Sequence, residues 1–341
     1  MPRGRSSALT EEASQRSRTV PPLSQIMSED DARHFRMIAT LPSNIEAVEA
    51  ALLFSAGLEA QVAIVGPSGW GKSHLLEAVA GRLRAESGMA LPRSMDVEDW
   101  LSGLNRGAHA GPAIVDNVQT CMGSLRQSQL LRVSVERRVR SRRPTLLSFT
   151  ARAPSRQIRA LVPQPREWRI VHLKAPTGPE RESVLRQMAS TEGLALSEEL
   201  VRLIARKTKG NGCTLKGALK RLNVQQGRWL TATETLQACG LLNPFFADDG
   251  NWDLRERIVK VVGRCAGEPT GLSVDPLCAA TYLMLREAML SEAEVADYLK
   301  MEPKSAYRLA RRVERLLKDD PATAEALKRL ISEVVGALET D

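Results

Sequence analysis

Four short apolar runs, at residues 62–65, 113–116, 145–150 and 170–173, alternate with longer stretches in which apolar residues recur every three or four positions. Runs of that length, rich in Val, Ile and Leu, predict strands buried on both faces. Residues 73–83 place Leu75, Leu76, Val79 and Leu83 at helical spacing. Strands alternating with helix-length segments predict a parallel sheet covered on both sides. From Lys174 onward the strand pattern stops. Thr177-x-x-Glu180 is a capping-box signature opening a helix with Val184, Leu185 and Met188; Ser197 starts a second with Leu200, Val201 and Ile204; Leu215, Leu219 and Leu222 mark a third. These three form an expected helical lid.

Residues 1–30, rich in Arg, Ser and Pro and without periodicity, read as a flexible leader. The α/β core is expected over 31–173 and the lid over 174–228. Gly227, Gly240, Pro244 and Gly250 surround a short helical stretch and suggest a linker over 229–250. An all-helical domain follows at 251–341. There Asp275-Pro276 caps a helix, Ser291-x-x-Glu294 opens a short one to Lys300, and Pro303 starts a longer one through Lys318. Short helix, tight turn and longer helix is the arithmetic of a helix-turn-helix. Leu309, Val313, Leu316 and Leu317 would face the core of that unit. Lys304, Tyr307, Arg308, Arg311, Arg312 and Arg315 would face outward, toward the phosphates of double-stranded DNA.

The 341 residues, 43% of them hydrophobic, suit a soluble chain of two or three domains. No apolar stretch reaches membrane-spanning length and no apolar signal core opens the chain, so a cytoplasmic protein without a membrane partner is expected. The five cysteines and four histidines lack metal-ligand or disulfide spacing. The net charge of +8 is uneven: twelve arginines against Glu136 and Glu167 lie between Arg126 and Arg169, which suggests a second polyanion-binding surface.

The most specific chemistry is Gly66-Pro67-Ser68-Gly69-Trp70-Gly71-Lys72-Ser73, a complete G-x-x-x-x-G-K-[ST] run placed between an expected strand and an expected helix. Glycines let successive N–H groups wrap a polyphosphate at the positive end of the helix. Lys72 would reach the β- and γ-phosphates of ATP, and Ser73 would ligate Mg²⁺. Asp116, ending the 113–116 strand, would support the metal, and Thr150, ending the 145–150 strand, would sense the γ-phosphate.

The loop and its sequel, continuing His74-Leu75-Leu76, resemble the DnaA/Hda family of AAA+ proteins, the bacterial replication initiator and its regulatory relatives. Leu41-Pro42-Ser43-Asn44 with Ala47, Ala50 and Ala51 resembles the family's segment before the first strand. Further on, 114–119 resembles its Walker B strand, Arg152-Ala153-Pro154 its sensor I turn, Trp168 the tryptophan after its arginine-finger box, and Gly210-Asn211 with Leu215-Lys216-Gly217-Ala218-Leu219 its sensor II helix. Residues 275–331 resemble its DNA-binding domain in helix spacing. The resemblance implies a P-loop AAA+ parallel sheet with a helical lid, followed by an all-α helix-turn-helix domain.

Departures shape the expected function. Asn117 replaces the family's second acid, Cys213 stands at the sensor II arginine, and Pro165 at the arginine finger, with Arg166 one residue off. An amide takes no proton from water and neither replacement is cationic, so hydrolysis is expected to be slow at most. The stretch before Asp116 is too short for the family's single-strand-binding insertion. The base-reading run is replaced by Pro303-Lys304-Ser305-Ala306, and the arginine-rich loop by residues 267–271. The expected role is an ATP- and DNA-binding protein in the initiation or regulation of chromosomal replication, with ATP mainly a conformational ligand. Replication proteins and an ATP-dependent homo-oligomer are the implied partners. The alternative is a helper ATPase that loads or remodels a protein partner on DNA, as in transposition or helicase loading.

Overall fold

The computed structural model describes residues 35, 37–87, 94–103, 111–150, 162–225, 228–246, 252–266 and 274–340. The expected leader, the Arg152-Ala153-Pro154 turn and residues 267–271 lie outside them. Five strands, β1 (Gln61–Val65), β2 (Met95–Asp96), β3 (Ala113–Asp116), β4 (Thr145–Phe149) and β5 (Arg169–His172), form one parallel sheet in the order β2-β3-β4-β1-β5. All five residues of β1 and of β4 are buried, as strands covered on both faces must be. Alternate β1 residues divide between two cores. Val62 and Ile64 pack with α1 (Ile45–Ser55) and α2 (Lys72–Ser87); Ala63 and Val65 pack with α3 (Val97–Gly103) and α4 (Leu125–Arg140). The four expected strands are present, while β2, two residues at the sheet edge, is too short to show a period in sequence.

Beyond the sheet all described regular structure is helical: α5 (Gly178–Thr191), α6 (Glu198–Lys207), α7 (Gly212–Val224), α8 (Ala232–Leu242), α9 (Leu254–Ala266), α10 (Pro276–Tyr282) running into a π-helical turn (Leu283–Glu287), α11 (Glu292–Leu299), α12 (Pro303–Asp319) and α13 (Pro321–Thr340). The caps predicted at Thr177, Ser197 and Ser291 form, while Asp275 stands before α10 without a side-chain capping bond. Glu180 accepts from the N–H and hydroxyl of Thr177, Ser197 Oγ accepts from Leu200 N, and Ser291 and Glu294 cap each other.

Packing differs from expectation around α8. The stretch read as a linker is mostly this helix, and Leu236, Ala238, Cys239 and Leu242 on it are fully buried. One core runs without a break from Leu185 in the lid to Leu338 in α13, which packs on α8 and α9 and touches α6. Gly240 looked like a break because glycine usually marks one. Here it marks a close approach: a Cβ at this position would collide with the carbonyl of Ala288 at the end of the π-helical turn.

Candidate phosphate-binding site and basic helix

The loop lies where the sheet places it, beyond the C-terminal end of β1 and between β4 and β5. Gly66 N–H donates to Phe149 O at 3.1 Å and Leu173 N–H to Val65 O at 2.8 Å, so both neighbouring strands hold the loop's start. Gly66 has no room for a side chain, since a Cβ would meet Leu173 O at 2.5 Å. Gly69 and Gly71 adopt φ of +78° and +94°, a region that disfavours other residues. Pro67 and Ser68 are exposed, Gly69, Trp70 and Gly71 half-buried.

Lys72 opens α2 and is buried, its Nζ donating to Gly66 O at 3.0 Å and Pro67 O at 2.8 Å. The ammonium thus rests on the loop's own carbonyls, next to the N–H groups of the helix terminus. Burial lowers its pKa, an effect the nearby Asp116 carboxylate opposes. Ser73, the next residue, is exposed. Asp116 is 7% exposed at the end of β3; its Oδ1 accepts from Asn117 N–H at 2.9 Å and from the hydroxyl of Ser148 on β4. No hydrogen bond to its Oδ2 is formed among the described residues. An alcohol and one carboxylate with a spare oxygen suit Mg²⁺, which takes one or two carboxylates and completes its octahedron with phosphate and water. No cluster of three or more His, Cys, Asp or Glu exists among the described residues.

Thr150 is tied to the same group at one remove: its N–H donates to Gln119 Oε1 at 2.8 Å, and Gln119 Nε2 to Asn117 Oδ1 at 3.4 Å. The structure therefore gathers the loop, Asp116 and Thr150 at one end of the sheet. Gln119, the last residue of the 114–119 run, joins them, as do Asp96 and Ser148, neither of which carried a motif in sequence.

The lid sits directly on the loop. Asn211 caps α7 through Cys213 N–H at 3.0 Å and donates Nδ2 to Ser68 O at 3.2 Å. A Cβ on Gly212 would meet Gly69 O at 2.6 Å, and one on Gly69 would collide with Asn211. Arg181 donates to the carbonyls of Ala205, Thr208 and Gly210 at 2.9, 2.6 and 3.1 Å and lies 5.4 Å over the Trp70 ring. Trp70 packs against both the lid core and the sheet core. Beside it opens a pocket lined by Ile38, Trp70 and His74 on one side and Val184 and Met188 on the other. Glu180 ties α5 to the turn before α1, accepting at 2.8 Å the N–H of Ser43, which lines that pocket. Cys213 is exposed, and Arg166 is exposed on the turn before β5.

The five cations expected to meet DNA, Lys304, Arg308, Arg311, Arg312 and Arg315, are all exposed along α12, which follows α11 after a left-handed Lys300. Arg311 is not a free cation: it donates to Tyr307 Oη at 3.0 and 2.9 Å and stands 3.6 Å from Glu314. In the mid-chain cluster one arginine departs from expectation. Arg138 is 5% exposed and donates to Thr145 Oγ1, Gly111 O and Pro144 O at 3.0, 2.6 and 2.8 Å, so it holds the start of β4 and meets no polyanion.

No protein-family model and no curated protein sequence matches the chain. Solved structures do. Domain III of the Thermotoga maritima replication initiation protein DnaA superposes with a TM-score of 0.51 at 23% identity, over 64% of this chain and 98% of that one. AMPPCP-bound DnaA from Aquifex aeolicus gives 0.48 at 16% identity, over 87% and 95% of the two chains. The Thermotoga maritima RuvB Holliday junction branch migration motor gives 0.43 at 15% identity, over 83% and 85%. The likeness to domain III is one of fold: over about two thirds of its length the chain has the fold of that domain, a parallel sheet in the order β2-β3-β4-β1-β5 with helices after it.

Proposed function

We propose that this chain binds ATP–Mg²⁺ at the 66–73 loop and DNA along α12, and that it acts in the initiation or regulation of chromosomal replication with ATP mainly as a conformational ligand. The observation that carries the reading is the seating of the lid on the phosphate loop through Asn211, Gly212 and the Arg181–Trp70 stack. A polyphosphate on the loop N–H groups would draw Lys72 off the Gly66 and Pro67 carbonyls, and those same residues bear on the lid. Because the lid core continues into the C-terminal helices, a lid displacement would carry α12 with it. The Trp70 pocket, mostly apolar with Ser43, Asn44 and Gln187 among its lining, suits a nucleobase. Asp116 and Ser73 would hold the Mg²⁺, which neutralises phosphate charge when bound. Thr150 is the proposed γ-phosphate sensor. Slow turnover follows from Asn117 and Cys213, and an ATP-dependent homo-oligomer would let the exposed Arg166 of one copy approach another copy's nucleotide.

The alternative, a helper ATPase acting on a protein partner, draws on a separate observation. The outer side of α4 exposes Leu125, Leu130 and Val133 between its arginines, at 77, 47 and 56%. Aliphatic groups add nothing to phosphate contacts and favour a protein surface. Titration of the full chain with a fluorescent ATP analogue, followed by duplex DNA with and without nucleotide, tests both. Nucleotide-dependent duplex binding supports the first reading; nucleotide binding with no DNA affinity at low salt would leave the second. Loss of neither on Lys72→Ala would sink the site itself.

A further inference from the structure

The acid missing from position 117 lies one strand away. β2 and β3 run parallel with Asp96 in register with Asp116, and Asn117 donates Nδ2 to Asp96 Oδ2 at 3.1 Å. Asn117 is held for this contact. Its φ of +54° turns the chain sharply after Asp116, and its N–H is taken by Asp116 Oδ1 and lies 3.3 Å from Ser148 Oγ. Its Oδ1 accepts from Gln119, whose own Oε1 holds the Thr150 N–H. Both ends of the amide are therefore engaged, with the donor end aimed at Asp96. Asp96 itself is half-buried, and among the described residues its other oxygen makes only a long contact, 3.3 Å, with Glu98 N–H. A carboxylate steered by one amide hydrogen bond, open to water and adjacent to the metal-supporting aspartate, has what a proton acceptor needs.

Resting on the reading of the loop as an ATP site, we propose that Asp96 supplies the general base for the hydrolysis this chain retains, the acid standing on β2 with the amide of Asn117 on the residue after Asp116. In that step the water oxygen bonds to the γ-phosphorus and the bond from that phosphorus to the β,γ-bridging oxygen breaks. ADP departs with the electron pair. The water's proton passes to the Asp96 carboxylate and then to solvent. Nothing is oxidised or reduced. Asn117 acts through Asp96 as a positioning residue.

The test is single-turnover hydrolysis of γ-labelled ATP with Mg²⁺ by the full chain, alongside nucleotide Kd and a thermal melt for each variant. Asp96→Asn keeps the shape and a hydrogen bond to Asn117, so its melt and Kd are expected to match the parent while the rate falls about a hundredfold. Asn117→Ala keeps the acid and loses only its steering, so a drop of about tenfold or less is expected. The exchange Asp96→Asn/Asn117→Asp is expected to recover most of the rate. A purely structural pair would make Asn117→Ala as damaging as Asp96→Asn, and that result overturns the proposal. So does an Asp96→Asn rate within about twofold of the parent, or a parent that binds ATP without measurable turnover; in the last case the nucleotide site stands and only the base assignment falls. A parent that binds no ATP removes both.

Discussion

The chain's cations fall into two populations that look alike in sequence and differ in structure. Lys72 and Arg138 are buried near opposite ends of the sheet, each spending its hydrogen bonds on backbone carbonyls or a buried hydroxyl. The cations of α12 are exposed on one helix face. Burial costs free energy unless the charge is fully hydrogen-bonded, so a buried cation marks something it must hold. Arg138 holds the chain itself: burial, with Arg143 nearby, lowers its pKa to about 10, which leaves it charged at neutral pH. Lys72 holds the Gly66 and Pro67 carbonyls of the 66–73 loop, the site proposed above for phosphate. Exposed cations cost nothing to keep and suit a solvated polyanion. Arginine density alone therefore misleads: the richest stretch, 126–143, contains a structural arginine and exposed aliphatic groups as well as free charge.

The sharpest break of this comparison is Arg138→Ala, which removes a buried cation that bonds the buried Thr145 hydroxyl and the carbonyls of Gly111 and Pro144 beside the starts of β3 and β4. A loss on the order of 3 kcal/mol is expected in urea unfolding. A loss under about 0.5 kcal/mol would return Arg138 to the surface population. Next, Lys72→Ala is expected to weaken ATP binding about a hundredfold, roughly 2.7 kcal/mol by calorimetry. The same lysine gives a pH signature. Its pKa lies below the ordinary 10.5, so it becomes neutral early as pH rises. Affinity for ATP should then decline at a pH below 10.5, while the nucleotide-free fold gains stability across that window because the unfolded chain binds the extra proton. An affinity flat up to pH 10.5 would contradict the buried ammonium.

On α12, Arg308→Ala/Arg312→Ala/Arg315→Ala is expected to leave unfolding within about 0.5 kcal/mol of the parent. It should weaken all duplexes alike, flattening log K against log salt by about 0.9 per lost phosphate contact. An unchanged salt slope would hand the helix to a protein partner. The smallest effect is expected from Glu314→Gln, which releases Arg286, held at 2.6 Å, and Arg311 at 3.6 Å from a half-buried carboxylate. Surface pairs of this kind are worth about 0–1 kcal/mol, so duplex affinity should rise about twofold. A fall instead would mean that Glu314 orients its arginines for binding.

How much of this was legible depended on distance along the chain. The loop, α2, the capping boxes at Thr177 and Ser291, and the outward cations of α12 are local patterns of a dozen residues or fewer, and they lie where the spacing predicts. The strands of 113–116 and 145–150 were readable because a strand buried on both faces has to be an apolar run. Asp96 was not readable, since its significance comes from register with Asp116 across two strands. Arg181 gives no signal either, because its partners Trp70 and Gly210 come from separate elements. Gly240 was legible as a glycine and misread as a break, since sequence does not distinguish a turn from a helix crossing too close for a methyl group.

By itself, the sequence determined that a glycine-rich loop joins a buried strand to a helix, that helices follow the sheet, and that one late helix turns a basic face outward; short-range sterics and periodicity suffice for these. Only the tertiary structure decided which arginine is buried, that Asn211 rests on a loop carbonyl 143 residues away, and that lid and C-terminal helices share one core. Each of these is a contact between segments whose closeness is set by how sheet, lid and helices pack together, and no local pattern encodes that packing.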